Sequence, residues 1–408
     1  MDFDDAPEEA AYREKARVFL EAAAEKRAPG QVYGVNYGED SLLPLTAAWQ
    51  SSKYDAGFSG ITIPKEFGGQ GGTRMQEAIF GQEEVKFLTP RHIGSGPTMV
   101  LPTLLAWATE KQKKRYIPPI LKGEELWCQL FSEPSGGSDL AGLRTRAERD
   151  GDDWVVNGQK IWTSNAHHAK YGILIARSDP AAPKHKGLTF FFIDMDTPGI
   201  LVRGIKQIAG YSNFNEVFFD NVRVPDSRRL GKVGEGWRVA ITTLMNERVV
   251  AGIRPRPDFD EIFTLAQQTA LENGPAIQDA AVRAKLAKWY IQSRGITYTR
   301  LRILTALSRG EQPGPENSIT KLVSGFKRQE ISHYGMDLLD SAGPMSDPET
   351  APLRGIFQRG LLDSPSDRIG AGTDEILRNV IAERVLGLPQ EIRVDKDVAF
   401  NAIEDNVS

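Results

Sequence analysis

Asp153-Trp154-Val155-Val156-Asn157-Gly158-Gln159-Lys160-Ile161-Trp162-Thr163-Ser164-Asn165 is the passage on which the fold class turns. Trp154-Val155-Val156 and Lys160-Ile161-Trp162 carry the β-branched and aromatic residues that suit a pleated surface. Asn157-Gly158 between them predicts a hairpin turn, because both residues tolerate positive φ. Leu188 to Ile193 and Glu216 to Val224 have the same texture with turn residues between, so residues 127–232 are expected to form a small all-β domain. On both sides the pattern turns helical. Pro7 to Glu25 and Arg74 to Leu88 place apolar residues at helix spacing within an N-terminal helical domain, 1–126. Trp237 to Ala251, Phe259 to Glu272, Ala276 to Ser308, Asn317 to Asp340 and Thr373 to Leu386 make a helical C-terminal domain, 233–408.

Composition narrows the class. At 408 residues the chain is long enough for two or three cores, and 40% hydrophobic with 25% charged residues is ordinary for a globular protein. A net charge of -4 lacks the basic surplus of nucleic-acid binders. The lone Cys128 cannot form an intrachain disulfide, the acidic Met1-Asp2-Phe3-Asp4-Asp5 start is unlike a signal peptide, and no apolar run is long enough to span a bilayer. A cytoplasmic protein with no membrane and no nucleic-acid partner is expected.

Several chemistries are missing from the sequence. His92, His167, His168, His185 and His333 show no metal-ligand spacing, so no metal is expected, and neither a G-x-S-x-G elbow nor a G-x-G-x-x-G fingerprint occurs. The glycine cluster Gly68-Gly69-Gln70-Gly71-Gly72 lacks the Lys-Ser/Thr of a phosphate loop and reads as a connection. Three patches remain. Phe131-Ser132-Glu133-Pro134-Ser135-Gly136-Gly137-Ser138-Asp139 ends a strand in a Gly-Gly turn whose hydroxyls and N–H groups suit a flavin edge or a phosphate. Trp162, flanked by Thr163 and Ser164, could be core or could stack on a flat cofactor. On the helix after the β domain, Trp237, Ala240, Ile241, Leu244 and Ala251 form an apolar stripe interrupted by Glu247 and Arg248, which is either a structural ion pair or a carboxylate in an apolar setting suited to be a general base.

Together these patches resemble the acyl-CoA dehydrogenase family over nearly the whole chain. Ser132-Glu133-Pro134 with Gly137-Ser138-Asp139 is similar to the family's first flavin signature, and Asn157-Gly158-x-Lys160-x-Trp162-x-Ser164-Asn165 to its second. Gly372-Thr373-Asp374-Glu375-Ile376, Arg378-Asn379 and Ala382-Glu383-Arg384 resemble the C-terminal signature. The resemblance implies an α-helical N-terminal domain, a β-barrel or sandwich middle domain and a C-terminal four-helix bundle, with FAD held between the subunits of a tetramer. It implies that Phe131, Ser132 and Ser138 meet the ring system, that Trp162 and Ser164 cover its other side, and that Thr373 and Glu375 help hold the cofactor. It also implies an acyl-CoA substrate beside Ser138 and Arg248, a place in fatty acid or lipid metabolism, and an electron-transfer flavoprotein as acceptor.

In most relatives the base is a glutamate just before the Gly-Thr of the C-terminal signature, where this chain has Ala371. In a minority it is the first residue of a Glu-Arg pair on the helix after the β domain, the pattern of Glu247-Arg248. Desaturation next to a thioester requires a base within reach of the α-carbon, so Glu247 is the expected catalytic residue. Two departures bear on assembly and substrate. The family's Arg-x-x-Phe-Gly motif has no counterpart in Ala266 to Ala276, and Arg283 is the nearby arginine. That absence puts a heterotetramer with a related subunit, and fewer flavins, beside the homotetramer. Pro90 and Gly94 stand where medium-chain relatives have polar side chains, which suggests a long, branched or sterol-derived acyl group. The same scaffold also admits an oxidase or monooxygenase, or a subunit that has lost its own site and only binds and stabilises an active partner.

Overall fold

The computed structural model describes residues 5–27, 42–90, 94–251, 257–308, 314–392, 395 and 397–403, without the side chains of 247–251, 304, 307, 308 and 317. The chain begins with helix α1 (Pro7–Ala23), strand β1 (Glu25–Lys26), α2 (Leu43–Asp55), α3 (Arg74–Glu84), β2 (Phe87–Leu88), α4 (Leu101–Trp107) and α5 (Glu110–Lys122). Eight strands follow: β3 (Trp127–Leu130), β4 (Arg146–Asp150), β5 (Asp153–Ser164), β6 (Tyr171–Arg177), β7 (Leu188–Asp194), β8 (Ile200–Ile205), β9 (Phe214–Pro225) and β10 (Arg229–Leu230). Helices α6 (Gly236–Ala251) and α7 (Phe259–Gln268), a short pair β11 (Ala270–Leu271) and β12 (Gly274–Pro275), then α8 (Ala280–Ser308), α9 (Asn317–Leu339), α10 (Ile356–Ile369) and α11 (Asp374–Val380) complete the order. Packing gathers these into two compact units, each interrupted in sequence: Met1–Gly34, Gly72–Thr89 and Arg248–Pro389 in one, Val35–Gly71, Pro90–Glu247 and Gln390–Ser408 in the other.

The second unit is built on the eight-stranded sheet, in the order β10-β7-β6-β4-β5-β9-β8 with β3 also paired to β6. Every residue of β6 is buried, as its unbroken Gly-Ile-Leu-Ile-Ala run requires of a strand covered on both faces. Ile173 and Ile175 join Trp127, Phe190 and Phe192 in a core completed by Leu104, Ile117 and Val239 from helices. Leu174 and Ala176 join Phe191, Trp154, Val156, Val217 and Val222 in a second core. Because β5 and β9 share that core with β6 and β7, the sheet folds over itself, the barrel-like arrangement expected for the middle region.

The hairpin expected at Asn157-Gly158 does not form; β5 runs straight through, antiparallel to β9 from Asp153↔Pro225 to Ser164↔Phe214. The pairing shifts there, between Val156 and Gly158, and Asn157 takes the backbone N–H of Asn221 at 2.8 Å. Gly158 has a different reason to be glycine, since a Cβ on it would lie 2.5 Å from Thr145 Oγ1 and 2.7 Å from Thr145 Cα. The stripe on α6 departs from expectation at one described position: Ala240 is buried and Trp237 and Leu244 pack against the core, with Val239 and Thr243 buried beside them, whereas Ile241 is 42% exposed. Thr243 bonds Thr103 Oγ1 at 2.8 Å and Trp107 Nε1 donates to Thr242 Oγ1 at 3.0 Å, which fixes the first turns of α6 on α4.

The first unit is helical. Ile262, Leu265, Leu286, Trp289, Ile331 and Phe357 form its core. Gly335 lets α9 meet α10, since a Cβ there would sit 2.1 Å from the Phe357 ring. Helix α7 stops at Gln268, short of the expected Glu272, because Ala270–Leu271 pairs with Gly274–Pro275 as a tight hairpin. Between α1 and α3 the Glu83 carboxylate, 1% exposed, takes Arg13 at 2.9 Å, Arg17 at 3.1 Å and Lys86 at 2.8 Å. Among the described residues no helix is long and apolar enough to cross a membrane, and no cluster of His, Cys, Asp and Glu has a metal-binding arrangement.

Candidate active site

Strand β3 delivers Phe131 and Ser132 at its end, and the neighbouring β5 delivers Trp162 and Ser164. The two segments are stitched together. The Ile161 N–H donates to Ser132 O at 2.8 Å, and Lys160 Nζ donates to Phe131 O at 2.9 Å. A second shift in the β5–β9 pairing falls between Lys160 and Thr163, where two residues of β5 stand against one of β9. Within it Trp162 takes φ +59°, a left-handed conformation uncommon for a bulky residue. The bulge turns the indole out of the strand's alternation and leaves it 56% exposed, edge-on to Phe214 at 6.0 Å. Core packing is thereby excluded for Trp162.

Beneath these two segments lies a charge pair. Lys160 Nζ meets Glu133 Oε1 at 2.7 Å, the two side chains being 0% and 4% exposed. Burial pushes the Glu133 carboxyl up, but the Lys160 ammonium and the hydrogen bonds from Lys160, Thr145 and Arg144 outweigh it, leaving the group below the usual carboxylate range. For Lys160 burial prevails over the attraction of Glu133 and lowers the ammonium's pKa. Glu133 also takes the backbone N–H groups of Arg144 at 2.6 Å and Thr145 at 2.9 Å, so one carboxylate closes the loop from 133 to 145 that carries Ser138. Glu133 and Gly136 exchange backbone bonds of 2.9 and 3.0 Å. In the sequence Lys160 and Glu133 stand inside the two flavin-signature motifs with nothing nearby to show that they pair. The available signal was a lysine at an inward position of a strand, which demands a buried partner.

Ser138 is exposed, Ser132 and Ser164 are half-buried, and Phe131 is 3% exposed against Phe190. An exposed indole beside a row of hydroxyls suits a flat aromatic ring with a hydrogen-bonding edge, and a flavin ring is such a group. Thr373 and Glu375 belong to the other unit. Thr373 caps α11 by accepting the Ile376 N–H at 3.2 Å, Lys321 Nζ holds Gly372 O at 2.5 Å, and Arg368 Nε holds Asp374 at 2.6 Å. Glu375 is exposed, and its own backbone N–H, then the Thr373 hydroxyl, keep its carboxyl below the usual range. Ala371 sits at φ +55°, in a tight turn with Gly372 at φ +91°. Glu247 and Arg248 lie on α6, but their side chains are outside the described residues. Gly94 has a local explanation, because a Cβ there would be 2.9 Å from Trp127 O.

Three family models match in succession: acyl-CoA dehydrogenase N-terminal domain at residues 6–124, middle domain at 128–222 and C-terminal domain at 234–386. Acyl-CoA dehydrogenase IpdE1 of Mycobacterium tuberculosis is 37% identical over 354 residues, 85% of this chain and 89% of that protein. Acyl-CoA dehydrogenase FadE34 of the same organism is 39% identical over 79% of this chain, which spans only 44% of FadE34. Among solved structures, the Tcur3481-Tcur3483 steroid ACAD superposes with TM-score 0.78 at 29% identity, covering 96% of this chain and 100% of that one. With the helical ends, the folded sheet and the paired Phe131–Ser132 and Trp162 segments in place, these matches establish that the chain belongs to the acyl-CoA dehydrogenase family.

Proposed function

We propose that the protein removes the α-proton and β-hydride of an acyl-CoA thioester, with FAD as cofactor and a bulky, ring-bearing or branched acyl group as substrate. The observation that carries this reading is the junction of Ser132 and Ile161, which sets the hydroxyl-rich loop beside an exposed indole on a bulge. Phe131, Ser132, Ser138, Trp162 and Ser164 would hold the ring system, and Thr373 and Glu375 another part of the cofactor. FAD, when bound, supplies the hydride acceptor that no side chain provides.

Glu247 takes the α-proton. It is the first residue of the Glu-Arg pair on α6, and the alternative position, Ala371, has no proton acceptor. Ser138 and Arg248 orient the thioester. The preference for a bulky acyl group draws on the neighbouring steroid ACAD and on Pro90 in place of a polar side chain. An electron-transfer flavoprotein is the expected acceptor.

Anaerobic mixing of the FAD-loaded protein with a panel of acyl-CoAs, followed by flavin absorbance, tests the assignment. A steroid-ring thioester should bleach the flavin faster than butyryl-CoA. Glu247→Gln should keep the colour and slow bleaching by about 10³-fold, within the span of general-base catalysis. Normal bleaching in that variant refutes the role of Glu247, and a butyryl-CoA preference refutes the bulky substrate.

A second reading concerns assembly. The stretch 266–276 forms the end of α7 and the β11–β12 hairpin, without the arginine motif. Together with the two-component name of the Tcur3481-Tcur3483 steroid ACAD, this favours a heteromer with a related subunit over a homotetramer.

A further inference from the structure

The last described residues, 395 and 397–403, lie beyond the family's C-terminal match, which ends at residue 386. They return to the sheet unit. Phe400 N donates to Ala182 O and Asn401 N to Pro180 O, both at 3.0 Å, and Ala399 bridges Pro183. The Phe400 ring lies against the Arg177 guanidinium, 3.7 Å from centroid to carbon, with Arg144 at 5.8 Å. Arg177, 3% exposed, is committed to the loop from 133 to 145. Its Nη2 donates to Ala141 O at 2.5 Å and Leu143 O at 3.3 Å, and its backbone N–H donates to Thr145 O at 2.7 Å. Lys184 Nζ makes a parallel link, reaching Asp139 at 3.1 Å and Asp395 at 2.5 Å.

Both tail contacts therefore end on groups that hold the Ser138–Asp139 loop. Glu133 and Lys160 fix that loop from the interior, and the tail fixes it from outside through Arg177 and Lys184. We propose that the C-terminal tail is a positioning strap for this loop, with Phe400 as its principal anchor and Asp395 as its second. The strap sets how firmly the Ser138 segment is presented to cofactor and thioester. A guanidinium 3.7 Å from the centre of an aromatic ring, with both terminal nitrogens donating to carbonyls, suits this role, because losing the ring lets the side chain tilt and the carbonyls with it. The proposal rests on the reading that this loop serves the FAD and acyl-CoA site.

The test uses Phe400→Ala, Asp395→Asn and Phe400→Trp in the 408-residue chain, with hydrogen–deuterium exchange of residues 136–145 in the FAD-free protein and FAD dissociation followed by flavin fluorescence. Phe400→Ala should speed exchange in that segment by about 5- to 10-fold and weaken FAD or thioester binding by a similar factor, as expected for losing a desolvated cation–π contact. Exchange in α8 and α9 should not change, nor should kcat beyond about 2-fold if binding alone is affected. Phe400→Trp should restore wild-type values, and Asp395→Asn should give a smaller change of the same sign. Unchanged exchange in 136–145, loosening spread over the whole protein, or a looser loop with unaltered binding each overturns the proposal. Failure of the wild-type protein to bind FAD would instead defeat the functional reading beneath it, so the two failures are separable.

Discussion

One buried polar site in the sheet unit and another in the helical bundle are met in opposite ways. Under Trp162, the Lys160 ammonium and the Glu133 carboxylate are almost wholly buried, and each is met by the other and by backbone groups. In the bundle, among the described residues, Gln358 is 7% exposed with neither side-chain Oε1 nor Nε2 hydrogen-bonded, and the hydroxyls of Ser318, Thr320 and Ser364 are buried without partners. A satisfied charge pair fixes geometry and is costly to break, whereas an unsatisfied neutral group contributes little that an apolar isostere would lose. The Phe131–Ser132 and Trp162 segments are thus held by charge and backbone groups of their own unit. Helices α9 and α10 carry buried polar groups that the described residues leave without hydrogen bonds.

That contrast can be broken most directly at Lys160. Lys160→Met should cost roughly 3–5 kcal/mol, since it strands a buried carboxylate. Adding Glu133→Gln should recover part of the loss. Denaturant midpoints measure both, and a single-variant loss under about 1 kcal/mol would mean that the pair does not hold the loop.

Glu83 extends the comparison to a carboxylate whose cations reach the surface. Burial pushes its pKa up, but Lys86, Arg13 and Arg17 together bring it from 4.5 to about 2. A depressed folded pKa contributes stability that is present above the unfolded value and is lost as pH falls through the folded one. Stability should therefore decline between pH 4.5 and about 2, and Glu83→Gln should flatten that limb by on the order of 2 kcal/mol, because the outer cations are screened. Urea titrations at several pH values check it. An unchanged slope in the variant would remove Glu83 from the acid response.

The smallest effect is expected at Gln358. Gln358→Met should leave thermal stability within about 1 kcal/mol of the parent or raise it, because no hydrogen bond is lost. A loss above about 2 kcal/mol would show that Gln358 has found a partner and would erase the contrast between the two regions.

Much of the architecture was legible because it rests on local pattern. The β-rich texture around Trp154 and Trp162, the apolar run of β6 and the helix-spaced residues of α1, α8 and α9 each state their secondary structure through side-chain periodicity. Asn157-Gly158 misled for an instructive reason. That pair favours a turn, but Gly158 answers to Thr145, which a local reading cannot bring next to it. Ile241 was misplaced similarly: Thr103 and Trp107, more than a hundred residues upstream, fix the rotation of α6, so Trp237, Ala240 and Leu244 meet the core while Ile241 is left at its edge.

By itself, the sequence determined the helical, β, helical order, the three signature patches and the missing carboxylate at Ala371, because these are matters of residue type and spacing along the chain. The tertiary structure alone decided that Ser132 meets Ile161, that Trp162 turns outward on a left-handed bulge, that Lys160 finds Glu133, and that Phe400 returns to Arg177. Those outcomes depend on which distant groups satisfy each buried charge, backbone amide and ring, and such partners are chosen by packing in three dimensions.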